Sequence, residues 1–165
     1  MKRWYKGNLH SHTTNSDGVW TPEQSAKNYR DAGYSFLCFS DHDLYTDYRR
    51  ELGEKNFLIL PGVEATAVLF DDEGNTVRLH HMNGILGTES MQKGALESTF
   101  SHMEKVEPDI YYGTDWDGNK TGKKLAERLK NHGCIVTYNH PIWSRVRPEA
   151  VSYTHLRAHE TRGNL

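Results

Sequence analysis

The sequence is poor in cysteine, in long apolar runs and in net charge. Its 165 residues include two cysteines, too few for a disulfide framework, and both Cys38 and Cys134 lie in apolar runs where a thiol is usually a small buried side chain. No apolar run reaches the roughly 18 residues of a membrane-spanning helix, and the first residues lack the apolar stretch of a signal peptide. We therefore expect a cytoplasmic protein with no membrane partner. A formal net charge of −2 predicts no extended surface for nucleic acid.

Histidine, by contrast, is abundant, with ten in the chain, and several stand where metal ligands are expected. His10 and His12 are separated by one residue, and alternate side chains of a strand share a face, so the two imidazoles would point at one ion. Asp17, in Ser-Asp-Gly, could add an oxygen ligand; the alternative is an ordinary turn aspartate. Three further histidines follow strand-like apolar runs: His42, His81 and His140. Strand ends are where α/β proteins place their chemistry.

The pattern of apolar residues predicts alternating strands and helices. Thr21, Pro22 and Gln24 form an N-cap, a first-turn proline and a capping box, which predicts a helix over 22–32. Strands are predicted at 5–12, 34–40, 57–60, 63–70, 76–86 and 134–139, with helices at 92–106 and 120–130 and a loop with a short helix at 44–54. This alternation favours a parallel, barrel-like core, and we expect residues 1–150 to form one domain.

Five short motifs, in order, resemble those of the polymerase-and-histidinol-phosphatase (PHP) superfamily. They are Asn-Leu-His-Ser-His-Thr at 8–13, Ser-Asp-Gly at 16–18, Ser-Asp-His-Asp at 40–43, Pro-Gly-Val-Glu at 61–64 and Asn-His-Pro at 139–141. The resemblance covers about residues 5–150. Residues 140–145 are most similar to the stand-alone branch of small hydrolases, rather than to the polymerase-fused branch.

The resemblance implies a distorted (β/α)7 barrel that carries up to three divalent ions, zinc, manganese or iron. It implies an enzyme, a metal-dependent phosphoesterase whose metal-bound hydroxide hydrolyses small, nucleotide-like phosphate mono- or diesters. The implied metal ligands are His10, His12, Asp17, His42, Glu64, His81 and His140. In that scheme one ion binds His10 and His12, a second binds His81 and His140, and Glu64 bridges the two. Asp17 and His42 would hold the third.

Two of these assignments required a choice. His80 and His81 cannot both point inward on a regular strand; we choose His81 because His-Met-Asn-Gly resembles a family stretch, and His80 is the second choice. Glu64 could be an edge carboxylate, but burying it after a Pro-Gly break would be costly without a cation or metal.

Other charged residues near the motifs have supporting roles in this interpretation. Asp41 and Asp43 flank His42, and carboxylates commonly orient metal-bound imidazoles. Arg145 is the candidate for binding the substrate phosphate, because its guanidinium fork matches phosphate geometry. A solvated loop arginine is the alternative there.

Two other functions stay open at this point: a non-catalytic metal-binding module, and an amidohydrolase-like barrel that cleaves carbon–nitrogen bonds. The second would lead us to expect a metal-bridging lysine at a strand end, and the sequence has none there. The family also ends in an Asp-x-His that does not follow His140, which predicts a truncated, weakly active or inactive chain. Residues 151–165 resemble adapter read-through in environmental assemblies, so we expect a non-native tail, and we do not favour His155 and His159 as ligands.

Overall fold

A computed structural model describes residues 3–98, 102–113, 118–144 and 156–157, which form two β-sheets and four helices. The helices are α1 (Pro22–Asp31), α2 (Arg49–Leu52), α3 (Glu89–Glu97) and α4 (Gly118–Asn131). The strands are β1 (Gly7–Asn8), β2 (Phe36–Cys38), β3 (Leu44–Thr46), β4 (Leu58–Leu60), β5 (Gly62–Phe70), β6 (Thr76–Leu86), β7 (Met103–Lys105), β8 (Asp109–Tyr112), β9 (Cys134–Tyr138) and β10 (Leu156–Arg157).

The smaller sheet is parallel and has the order β1-β2-β4. Helix α1 connects its first two strands and begins with the predicted capping box, in which the Thr21 side chain accepts from the Gln24 backbone and the Gln24 side chain accepts from the Thr21 backbone. Ala26 of this helix packs on apolar residues of the sheet, including Leu37 and Ile59. This β-α-β unit brings the carboxyl ends of β1 and β2 to the same edge.

The larger sheet has the order β10-β9-β6-β5-β3-β7, with β8 alongside β5. Its centre is the antiparallel pair β5–β6, joined by a tight turn over residues 71–75 in which the Asp71 side chain accepts from the Asn75 backbone. Helix α4 packs on β5, β6 and β9. The main core, between α4 and this sheet, includes Tyr45, Val63, Met82, Leu125, Leu129 and Val136.

The two sheets meet next to the predicted site residues. His42, just past β2, forms a parallel bridge with Glu64 of β5. The backbone N–H of Asp43 donates to the Glu64 carbonyl at 2.9 Å, and the Glu64 N–H donates to the Asp41 carbonyl at 3.2 Å. These contacts join the carboxyl end of β2, in the smaller sheet, to β5, a central strand of the larger sheet.

The predicted (β/α)7 barrel is wrong. The described residues close no barrel, and most pairings of the larger sheet, β3–β5, β3–β7, β5–β6 and β6–β9, are antiparallel. A β/α barrel needs a crossover, usually a helix, between each pair of parallel strands. The short turn between β5 and β6 leaves no room for one.

Several local predictions are confirmed and others need correction. The helices predicted at 22–32 and 120–130 are present as α1 and α4, and both cysteines are buried free thiols. The helix predicted over 92–106 ends at Glu97, and β7 occupies its last part; the segment 44–54 contains strand β3 as well as helix α2. Among the described residues, no helix is long and apolar enough to cross a membrane. Of the expected tail at 151–165, only residues 156–157 are described, and they pair in parallel with β9.

Candidate metal centre

The carboxylate of Glu64 is the centre of a histidine cluster. It projects from β5 and is fully buried. Its Oε2 atom lies 3.3 Å from Nε2 of His10, 3.0 Å from Nε2 of His12 and 3.2 Å from Nδ1 of His42. Its Oε1 atom lies 3.6 Å from Nδ1 of His81 and 3.0 Å from Nε2 of His140. Five imidazoles from four separate segments of the chain thus surround one carboxylate.

His10 and His12 point together although the regular strand before them is short. Strand β1 ends at Asn8, but Ser11 continues the pairing: its hydroxyl donates to the Cys38 carbonyl at 2.8 Å, and its carbonyl accepts from the Ser40 N–H at 2.8 Å. With Ser11 turned toward β2, the histidines on either side face the opposite way, and their Nε2 atoms are 2.9 Å apart.

Asp17 lies at the exposed edge of the cluster. One carboxylate oxygen is 3.1 Å from Nδ1 of His12 and the other is 3.6 Å from Nε2 of His42. The turn that carries it depends on Gly18, whose N–H donates to the Thr13 carbonyl at 2.9 Å, and where any β-carbon would overlap the carbonyl group of His12. Asp17 is therefore placed to act with these two imidazoles, as its position in the sequence suggested.

Asp41 and Asp43 support the centre differently from the prediction that they orient His42. The Asp41 carboxylate is buried and accepts hydrogen bonds from the Thr13 N–H at 2.7 Å, the Thr13 hydroxyl at 2.9 Å and the Ser16 hydroxyl at 2.8 Å. It thereby holds the turn that bears Asp17. Asp43 accepts from the Thr66 N–H of β5 at 2.9 Å and ties the end of β2 to that strand.

Between the adjacent histidines of β6, the structure brings His81 into the cluster. Its ring lies 4.8 Å from that of His42 and 5.5 Å from that of His140, centroid to centroid. His80 points to the opposite face, where its Nδ1 lies 2.5 Å from the Tyr138 hydroxyl in the core under α4. The alternation of side chains along a strand explains this division.

His140 follows β9 with a φ of 34°. This is close to the left-handed region, which is unfavourable for a residue with a β-carbon. The Asn139 N–H donates to the His81 carbonyl at 3.0 Å, so the strand pairing continues to the last residue before the bend. The bend then brings the His140 ring over that of His10, with centroids 5.3 Å apart and nearly parallel planes.

The donor set fits divalent metal ions. Two groups of ligand atoms lie within 4.8 Å of one another: His10, Glu64 and His140; and His12, His42 and Glu64. Glu64 belongs to both. Among the described residues none gives its buried Oε2 a hydrogen bond of good geometry, although three imidazole nitrogens surround it. A buried carboxylate with histidine neighbours at this spacing can hold a metal ion.

The grouping of the ligand atoms differs from the pairing of ligands that the family resemblance implies. That scheme put His10 with His12 and His81 with His140, whereas the ligand atoms group His10 with His140 and His12 with His42. All seven predicted ligands nevertheless lie in one cluster. Arg145, the predicted phosphate-binding residue, lies outside the described residues.

The protonation properties of the cluster suit metal binding. Burial alone would raise the pKa of the Glu64 carboxyl, but the imidazoles of His10 and His12 outweigh it and hold that pKa well below its usual range. Burial lowers the pKa of His81 to about 4, so this imidazole is neutral at physiological pH. Burial also opposes protonation of His12, but Glu64 beside it raises the pKa of that ring overall. Metal binding at His12 therefore competes with protonation of that ring.

Two buried asparagines that sequence reasoning missed complete the centre. Nδ2 of Asn139 donates to Glu64 Oε1 at 2.7 Å and to Oδ1 of Asn83 at 2.6 Å. Nδ2 of Asn83 donates to the carbonyl of Leu9, next to His10, at 2.8 Å. Asn139 was visible only as part of a motif. Asn83 stands in the His-Met-Asn-Gly stretch, but nothing there indicated its role, which follows from its place opposite Glu64 in the β5–β6 register.

No protein-family model matches this chain, and no curated protein matches it. The interpretation of the cluster consequently rests on its own geometry and on the five motifs.

Proposed function

We propose that this protein is a metal-dependent phosphoesterase of PHP type that hydrolyses small phosphate mono- or diesters. The observation that carries the proposal is the shared Glu64, a buried carboxylate that belongs to two groups of three ligands. Adjacent metal ions joined in this way are typical of enzymes that cleave phosphate esters. The order of the motifs along the sequence supports the same reaction class.

Zinc, manganese and iron are the proposed metals. Imidazole and carboxylate ligands suit all three, and the buried thiols Cys38 and Cys134 lie in the cores rather than among the ligands. Bound divalent ions supply a nucleophile from water near neutral pH and positive charge for the phosphoryl oxygens. Asp17 and His42 are the candidates for holding a third ion, at the exposed edge of the cluster.

The chain's own residues have separable roles in this proposal. Glu64 contributes the negative charge that both groups share. His81, neutral because of its low pKa, offers a lone pair without losing a proton. Asp17, whose side chain is 68% exposed, lies on the solvent side of the cluster and can accept a proton or hydrogen bond from His12 at 3.1 Å.

The surface beside the cluster favours a substrate that carries an aromatic group. Trp143 is 79% exposed, and its ring packs edge-on against His140 at a centroid distance of 5.0 Å. Ile142, next to it, is also exposed. An exposed tryptophan beside a hydrolytic centre can stack on a nucleobase, an interaction worth about 1–3 kcal/mol. A nucleoside monophosphate therefore fits better than a sugar phosphate, and the small net charge disfavours long nucleic acid.

The test is hydrolysis of adenosine 5′-monophosphate and ribose 5-phosphate, which both carry the phosphate on the primary 5′-alcohol of ribose and differ in the base. We expect weak turnover that a chelator abolishes and that zinc or manganese restores, with kcat/KM about 10-fold or more in favour of the nucleotide. The His10→Ala, His12→Ala double variant should lose both metal and activity. A matched control, His132→Ala, removes a histidine outside the cluster and should change neither.

Contrary results would identify the competing functions. If the protein binds metal tightly but releases phosphate from none of these esters, it is a non-catalytic metal-binding module. Hydrolysis of cyclic amides without hydrolysis of phosphoesters would indicate the amidohydrolase-like activity. Turnover that persists in chelator would contradict a metal mechanism altogether.

A further inference from the structure

The buried side chains of Asn139 and Asn83 form a hydrogen-bonded chain that runs from Glu64 to the backbone before His10. Both side chains are at most 1% exposed. A carboxylate can only accept hydrogen bonds, so the contact with Glu64 Oε1 places the Asn139 amide nitrogen toward it. The same nitrogen uses its second hydrogen for Asn83.

The orientation of Asn139 is set by Glu64 rather than by its own hydrogen-bonding needs. Its buried Oδ1 accepts no hydrogen bond from any described residue. An unsatisfied buried acceptor costs about 1–3 kcal/mol. Both N–H groups of the Asn139 amide are nevertheless hydrogen-bonded, one to Glu64 and one to Asn83.

Asn139 also differs from the other neighbours of Glu64 in what happens when metal binds. An imidazole nitrogen that binds an ion can no longer donate a hydrogen bond to the carboxylate. The Asn139 amide does not titrate and keeps its hydrogen in every state of the site. Among the described residues, it is thus the one side-chain donor to Glu64 that metal binding leaves in place.

We propose that Asn139, held by Asn83, is a positioning residue that fixes the rotation of the Glu64 carboxylate, so that Oε1 faces His81 and His140 while Oε2 faces the other three imidazoles. With Oε1 held by Asn139, Oε2 faces His10, His12 and His42. Asn83 extends the restraint to the Leu9 carbonyl at 2.8 Å and so couples the strand-end histidines to the carboxylate. This inference rests on the metal centre proposed above.

The test measures metal binding and spectroscopy of the full chain, without reference to turnover. Asn139→Leu removes the donor at similar volume, and Asn139→Ser, whose side chain is too short to keep the 2.7 Å contact with Glu64, serves if the leucine variant does not fold. Thr137→Val is the matched control, since Thr137 lies two residues earlier on β9 and is 4% exposed. Titration with zinc gives affinity, and titration with cobalt(II) gives absorption and the magnetic coupling between neighbouring ions.

We expect Asn139→Leu to weaken zinc binding about 10–100-fold, the usual effect of losing a group that orients a ligand, and to reduce the coupling between cobalt ions. Asn83→Ala should act in the same direction with a smaller effect, and Thr137→Val should match the wild type. Zinc affinity within twofold of wild type, together with unchanged coupling, in folded Asn139→Leu or Asn139→Ser would overturn the positioning role and leave the metal centre standing. A wild-type protein that binds no zinc would overturn both.

Discussion

Replacing Glu64 by glutamine should destabilise the metal-free protein by an amount that falls as pH rises. The change preserves the shape of the side chain and removes the charge that faces the imidazoles. The pKa of Glu64 is held far below its usual range and that of His12 is raised above 6.5. Their attraction is therefore fully present below the ordinary histidine pKa and is lost as pH rises through the higher folded-state value of His12.

The magnitude follows from the burial of the pair. Removing one partner of a buried ion pair costs about 3–5 kcal/mol. Glutamine can keep the hydrogen bond from Asn139, so the lower end, about 3 kcal/mol, is expected near pH 5.5. Once the pH exceeds the raised pKa of His12, that ring is neutral, and the remaining loss is the difference between a charged and a neutral acceptor, about 1 kcal/mol. In melting temperature these values correspond to about 6–12 °C and about 2–4 °C.

Urea unfolding of chelator-treated wild type and Glu64→Gln across this pH range measures the effect. Glu73→Gln, an exposed glutamate in the β5–β6 turn, is the control and should change stability by less than about 0.5 kcal/mol at every pH. A destabilisation by Glu64→Gln that is independent of pH, or that grows toward alkaline pH, would refute the coupling between Glu64 and the imidazoles.

Three further predictions concern the parts of the centre. His42→Ala and His140→Ala should each lower the number of tightly bound zinc ions by one, because each histidine belongs to a different ligand group; mass spectrometry under native conditions counts the ions, and equal loss of both ions in either variant would contradict separate groups. Gly18→Ala should weaken metal binding and lower the free energy of unfolding by about 1–3 kcal/mol, because the new methyl group overlaps the His12 backbone. The control Gly74→Ala has open space around it but a φ of 83°, so it should lower that free energy by about 1 kcal/mol and leave metal binding intact. Asp41→Asn should lower the free energy of unfolding by about 2–4 kcal/mol, because it replaces a charged acceptor of three hydrogen bonds with a neutral one. A change under about 0.5 kcal/mol in chemical denaturation would show that the turn forms without the Asp41 carboxylate.

Local signals in the sequence predicted the elements whose causes are themselves local. The capping box of α1 and the amphipathic pattern of α4 are complete within one turn or one helix. Strands β3 and β7 were missed because they are short and pair with each other in mixed sequence, so that only tertiary contacts define them. The barrel was expected from the alternation of elements and from the resemblance, although the run Asp-Asp-Glu-Gly-Asn at 71–75, between two predicted strands, is typical of a turn.

The ligands of the centre could be predicted from their types and motifs, whereas their grouping could not. His10 and His12 share a face for a reason visible in three consecutive residues. The association of His10 with His140 depends on how two distant strands are aligned. Asn83 is the clearest case, because an asparagine inside a strand has no distinctive pattern until the register places it opposite Glu64.

The backbone at His140 suggests a trade between stability and function. A φ of 34° is unfavourable for histidine and comfortable for glycine or asparagine, by about 1 kcal/mol. A variant with glycine there would relieve that strain, and in the absence of metal we expect it to melt no lower than the natural chain. Backbone strain of this kind is concentrated at functional sites, where it holds a side chain in a position that a relaxed backbone would not give it.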